Sequence, residues 1–203
     1  MPIFSHVTDY ERLMLLLLVC NGSEPVNFRN LKTKYKGPSF AEVYEAWPIQ
    51  ERLINIYAYT LMPNHFHLVL QQLTENGITV FMKKVMTAYS MYFNTKYSHS
   101  GVIFQGRFKS SHIDSEQYFR YIFAYVHLNP LELVQKDWKE HGVSNQEGVR
   151  TFVNKYRYSS FCDYVAEVRP ERAILAYDTA PDFLRHQNDL EEVFADYAEN
   201  RQL

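Results

Sequence analysis

The stretch Ile54-Asn55-Ile56-Tyr57-Ala58-Tyr59-Thr60-Leu61-Met62-Pro63-Asn64-His65-Phe66-His67-Leu68-Val69-Leu70-Gln71 decides how this chain folds. Ile54 to Tyr59 is rich in β-branched and aromatic residues, the composition of a strand. Pro63-Asn64 interrupts it and His65 to Gln71 resumes as a second strand, so a tight reversal falls around Leu61 to Asn64. Side chains two apart in a strand share a face. His65 and His67 therefore point the same way as Val69, and Phe66, Leu68 and Leu70 are expected on the core side. Two neutral imidazoles this close suit a divalent metal, although an isolated His-x-His pair describes two surface histidines equally well.

Working outward, Thr8 and Asp9 read as the capped start of a helix running to Cys20. Its apolar part, Leu13 to Cys20, is too short to span a bilayer. Acidic Asp9 and Glu11 precede it, where a signal peptide would be positive. A buried helix is expected, with no membrane partner. A mixed stretch over 26–50 carries Lys32, Lys34 and Lys36, and a short helix from Phe40 to Trp47 closed by Pro48. Ile78 to Tyr97 reads as a helix, with Val80, Phe81, Val85, Met86, Tyr89 and Phe93 near a 3.6 period. Val102 to Gln105 reads as a short strand. Asp114 or Ser115 caps a further helix through Tyr118, Tyr121 and Tyr125 to about Asn129, where Pro130 stops it. An acidic helix is expected from about Asp189 to Tyr197. The economical reading is one α+β domain with a helical C-terminal extension.

Composition narrows the class without choosing a function. Hydrophobic residues at 46% and charged residues at 22% are ordinary for a soluble globular protein. The 16 Tyr and 14 Phe serve cores and base stacking alike. Cys20 and Cys162 have no metal-type spacing and read as reduced thiols in a cytoplasmic protein. A net charge of −2 argues against a protein that coats nucleic acid. Between Phe81 and Tyr125, however, six basic residues face two acidic ones, a local balance of +4 that leaves −6 elsewhere. Such a basic middle suits a local phosphate-binding surface. Arg107 and Lys109 are candidates to hold a DNA backbone, or else ordinary surface charges. Lys83, Lys84 and Arg120 are further DNA-binding candidates.

Tyr125 and Asn129 lie four apart, on one helical face. Most tyrosines of this helix read as a stripe packed on the sheet. Tyr125 differs in having a carboxamide one turn on, able to ligate a metal or orient a phosphate. A tyrosine hydroxyl serves as a covalent nucleophile when its weak acidity is offset, and a metal polarising the target phosphate would do that. His127 is an alternative ligand, but two residues from Tyr125 on a helix it faces elsewhere, so Asn129 is preferred.

Three blocks carry a resemblance. Tyr57 to Leu70, with Met62-Pro63-Asn64-His65-Phe66-His67 at its centre, resembles the signature of the IS200-like single-tyrosine (Y1) transposases, in particular their REP-associated tyrosine transposase branch. Phe104-Gln105-Gly106-Arg107-Phe108-Lys109-Ser110, followed by Tyr125-Val126-His127-Leu128-Asn129-Pro130, is similar to that branch's second signature. Tyr156-Arg157-Tyr158-Ser159-Ser160-Phe161 resembles a third. The blocks stand in the family's order over about residues 54 to 165.

The resemblance implies a ferredoxin-like antiparallel sheet with helices on one face, carrying the HUH (His-hydrophobe-His) motif. It also implies a Mg²⁺- or Mn²⁺-dependent nuclease and strand transferase acting on hairpin-forming single-stranded DNA. On it, His65 and His67 match the metal-binding histidines, Tyr125 the nucleophile that keeps the 5′ phosphate, and Asn129 the helix residue completing the metal site. Residues 1–135 would form the catalytic domain and 136–203 the extension, as a monomer or homodimer. The family's first strand is expected to be missing, because Met1-Pro2-Ile3-Phe4 resembles the segment that follows it. The exposed sheet edge would then be filled by a partner chain or another segment. The alternative is a domesticated or truncated, non-catalytic DNA- or RNA-binding protein of the same fold.

Overall fold

The computed structural model describes residues 2–26, 40–47, 51–141, 146–165 and 168–184. The expected helix over 189–197, most of the Lys-rich stretch and Pro48 lie outside them. The order is α1 (Val7–Val19), α2 (Phe40–Ala46), β1 (Ile54–Met62), β2 (His65–Gln72), α3 (Gly77–Tyr97) and α4 (Glu116–Leu128). A 3-10 turn (Asn129–Leu133) follows, then α5 (Trp138–His141), α6 (Gln146–Lys155), α7 (Phe161–Val165) and three short 3-10 turns. This is an α+β protein. Its described sheet is the antiparallel hairpin β1-β2 alone, and among the described residues no strand precedes α1.

The chain divides into two compact units, interleaved in sequence. The first comprises residues 1–56, 70–110 and 170–175, and the second residues 57–69, 111–169 and 176–203. The turn-proximal part of the hairpin thus belongs to the second unit.

In the first unit α1 packs on α3, burying Leu13 to Leu17 and Val19 as the apolar run requires. The cap differs from expectation. His6 is the N-cap, and the Asp9 carboxylate reaches back to the backbone N–H groups of Ser5 and His6, both at 2.9 Å. Asp9 sits at the third helical position, where a carboxylate can satisfy the orphan donors ahead of it. The same buried carboxylate accepts from Lys96 at 2.5 Å, Tyr97 at 2.6 Å and Tyr92 at 2.9 Å, all on α3. Burial alone would raise its pKa, but these donors outweigh burial and hold it far below the usual carboxylate range. The buried face of α3 is Gly77, Phe81, Met82, Val85, Tyr89 and Phe93. Val80, expected on that face, is exposed and Met82 takes its place. Gly77 cannot be replaced freely, because a Cβ there would stand 2.3 Å from the Leu53 carbonyl oxygen.

Val102 to Gln105 forms no strand. Gly101 and Gly106 both adopt positive φ, and Gly106 N–H bonds back to Phe104 O at 3.0 Å. Two residues anchor the loop, Ile103 by burial and Phe104 by its ring against Tyr89 at 6.0 Å. Among the described residues the loop pairs with no strand, and β propensity yields to these contacts.

All of β1 is buried, and the part of it in the second unit has its outer edge covered. Leu61 N–H donates to Tyr158 O at 2.9 Å, and Ser160 N–H to Tyr59 O at 2.9 Å. Ser160 Oγ accepts from Tyr59 N–H at 2.9 Å, and the Tyr164 hydroxyl donates to Tyr57 O at 2.6 Å. The third motif block therefore works as a strand substitute, satisfying backbone groups that would otherwise be orphaned. Arg169 locks this segment, donating to Ser159 O and Arg157 O, both at 2.6 Å, and pairing with buried Asp163 at 2.7 Å.

Candidate active site

Pro63-Asn64 makes the hairpin turn, so β2 opens directly on the histidines. Their rings stand edge to face, 4.9 Å between centroids. The expected orientation of β2 is corrected by the structure. Val69, on the histidine face, is the buried residue of the strand, whereas Phe66, Leu68 and Leu70 are half-covered. The histidine face is covered because α4 lies against it, with the His67 ring 5.6 Å from that of Tyr125.

Ser115 caps α4, its Oγ accepting from Tyr118 N–H at 3.2 Å. The helix runs regularly to Leu128, and Pro130 then turns the chain into a 3-10 turn rather than ending it. Asn129 so remains one turn beyond Tyr125, fully buried. Its carboxamide abuts both imidazoles within reach of a hydrogen bond, yet among the described residues none with good alignment satisfies its Oδ1 or its Nδ2. A buried amide left without partners is costly in a metal-free protein, by roughly 1–3 kcal/mol. A bound cation would use its oxygen.

The electrostatics suit the same purpose. Burial, then the neighbouring charges of His65 and Lys139, push the His67 pKa down to about 4. Burial also lowers that of His65. Both rings are neutral near pH 7 and keep a lone pair available. His65 Nδ1 lies 2.7 Å from Asn64 Oδ1, an oxygen that can only accept, which favours the tautomer with the proton on Nδ1 and the lone pair on Nε2. Among the described residues no three His, Cys, Asp or Glu side chains gather as a metal site. A cation here would have two imidazoles and one amide as its protein ligands, leaving positions for water or phosphate oxygen. The residues present fit a divalent metal of that kind.

His127 faces away from this group. It is fully buried, its Nε2 lies 2.7 Å from Ser160 Oγ, and its ring packs on Phe123, Phe161 and Tyr164. Two further groups, not foreseen from sequence, complete the surroundings of Tyr125. Lys139 donates to its hydroxyl at 3.4 Å and pairs with Glu132 at 3.2 Å. Burial pulls the Lys139 ammonium down, but Glu132 and Tyr125 outweigh it and raise its pKa. No local pattern marks Lys139, which lies on a separate short helix; Asn64 was visible within the Pro-Asn-His run.

The candidate DNA-contacting cations divide. Lys83, Arg107 and Lys109 stand exposed. Lys84 instead donates to the carbonyls of Gly22 at 2.5 Å and Glu24 at 2.8 Å, tying down the chain after α1. Arg120 pairs with Glu116 at 3.0 Å and lies 4.1 Å above the Phe183 ring. Both are engaged within the fold.

Residues 29–129 match the family model described as Transposase IS200 like. The chain belongs to the IS200-like transposase family. It is accordingly a transposase-type protein, and DNA is its partner. Comparison with the curated proteins found no match, and comparison with the solved structures found none. No helix among the described residues is long and apolar enough to cross a membrane.

Proposed function

We propose that the chain is a single-stranded DNA endonuclease and strand transferase of the REP-associated branch, dependent on Mg²⁺ or Mn²⁺ and acting on hairpin-forming DNA through a 5′-phosphotyrosine. The observation that carries this reading is the gathering of His65, His67, Tyr125 and the buried, poorly satisfied Asn129 carboxamide within one compact unit. Residues 1–135 would be the catalytic part and 136–203 its extension.

His65, His67 and the Asn129 oxygen would hold the cation, which supplies Lewis-acid polarisation of the scissile phosphate. The Tyr125 hydroxyl, on a half-buried side chain beside His67, is the group placed to attack phosphorus. Its attack forms a bond from the phenolic oxygen to phosphorus and breaks the bond to the 3′ oxygen. The hydroxyl so released can later attack the phosphotyrosine, rejoining strands without an external energy source. Exposed Arg107, Lys109 and Lys83 are cations suited to the phosphate backbone.

The test is incubation with single-stranded hairpin DNA and Mn²⁺, followed by denaturing electrophoresis. Wild type should form a covalent adduct that Tyr125→Phe abolishes while hairpin binding survives. Tyr125→Phe cutting at wild-type speed would sink the assignment. Hairpin DNA that binds but is never cut, with either metal, would instead support a nucleic-acid-binding protein of the same fold.

A further inference from the structure

Lys139 is the remaining charged group on the Tyr125 hydroxyl that the reading above leaves without a task. We propose that it is a positioning and charge-compensating residue for the Tyr125 oxygen, held in place by Glu132; the inference rests on Tyr125 being the nucleophile. Lys139 Nζ donates to the hydroxyl at 3.4 Å and lies 5.2 Å from the centre of the tyrosine ring. It also donates to the Glu132 carboxylate at 3.2 Å. Glu132 belongs to the 3-10 turn that continues directly from α4, so carboxylate and tyrosine ride on one continuous backbone. Two anchors hold a side chain that would otherwise range over many rotamers.

The chemistry gives that placement a purpose. In cleavage the phenolic oxygen bonds to phosphorus, its proton passes to solvent, and the departing 3′ oxygen takes up a proton. In rejoining, the 3′ hydroxyl attacks, gives up its proton, and the phenolic oxygen leaves with the bonding pair and is reprotonated. In both directions negative charge develops on the same phenolic oxygen. A fixed ammonium beside that atom stabilises the charge without itself losing a proton, and a donor placed in advance needs no reorganisation. Glu132 stands partly in water, where its opposing charge is damped, so it orients Lys139 more than it neutralises it.

Two measurements test this. In protein labelled with ¹³Cζ-tyrosine, the resonance lost in Tyr125→Phe identifies Tyr125; it should shift in Lys139→Met and stay in place in Lys136→Met. At saturating hairpin DNA with Mn²⁺, Lys139→Met should slow adduct formation roughly 10²-fold, the scale of losing one preorganised donor, and Lys139→Arg should recover a large part. The slowing should persist on DNA with sulfur as the bridging 3′ atom, a better leaving group. An unmoved resonance, an undiminished rate in Lys139→Met, or a deficit that the 3′ sulfur erases would each overturn the proposal. Wild type forming no adduct would refute the Tyr125 reading itself, and this role with it, whatever the resonance shows.

Discussion

The Asn129 carboxamide lies fully buried against the His67 imidazole, with no well-aligned hydrogen bond to its oxygen or nitrogen among the described residues. Ser160, Asp163 and the Tyr59 amide, buried in the same unit, are each hydrogen-bonded. An amide kept in such a place lowers stability in return for function. Replacement by an apolar side chain of similar size should therefore relieve a cost. Asn129→Leu should unfold at higher denaturant than wild type in the absence of metal, by about 1 kcal/mol. It should also lose metal-dependent cleavage. A less stable Asn129→Leu would mean that the amide has a structural partner after all.

The Asn64–His65 hydrogen bond predicts a milder defect. Removing the acceptor frees the ring to rotate and to change tautomer. Asn64→Ala should weaken Mn²⁺ binding about 10–100-fold by calorimetry, the usual range for a group that orients a ligand, with little change in melting temperature. Unchanged affinity would leave Asn64 a turn residue and nothing more.

Lys83 and Lys84 are neighbours with opposite expected phenotypes. If Lys83 meets a phosphate, Lys83→Ala should lower the slope of log affinity against log salt by roughly one counterion and leave stability alone. Lys84→Ala removes the donor to Gly22 and Glu24 carbonyls, so it should lower the unfolding midpoint instead. Salt-dependent binding and denaturation curves on both variants decide the matter.

Asp9 gives the first unit an acid sensitivity. Its folded pKa is held below the unfolded value, so its stabilisation is complete above the ordinary carboxylate range, about pH 4, and is lost as pH falls toward the folded value. Asp9→Asn should cost about 2–4 kcal/mol at pH 7, as expected for breaking a buried pair with Lys96, and should unfold with a flatter dependence below about pH 4. Urea midpoints across that range measure both effects. A variant with the wild-type pH profile would assign the sensitivity to other carboxylates.

Much of the site was legible because each half lies within one regular element. A strand alternates and a helix repeats near every fourth residue, so His65 with His67, and Tyr125 with Asn129, share faces whatever surrounds them. The same local logic placed α1, α2, the hairpin and α3 within a few residues of their observed bounds. It failed for Val102 to Gln105, where strand-forming residues pair with no strand among the described residues, and for Val80 against Met82, where the partner decides which border position is covered.

By itself, then, the sequence determined the His65/His67 hairpin, the Tyr125/Asn129 helix and the family to which both belong. Tertiary structure decided which side of β2 is covered, that residues 158–160 fill the edge of β1, and that Lys84 is spent on backbone carbonyls. It also brought Lys139 and Glu132 to Tyr125. The physical reason is range. Phase along a strand or helix follows from backbone geometry within a few residues, whereas contacts between elements depend on which surfaces the whole chain can bury together.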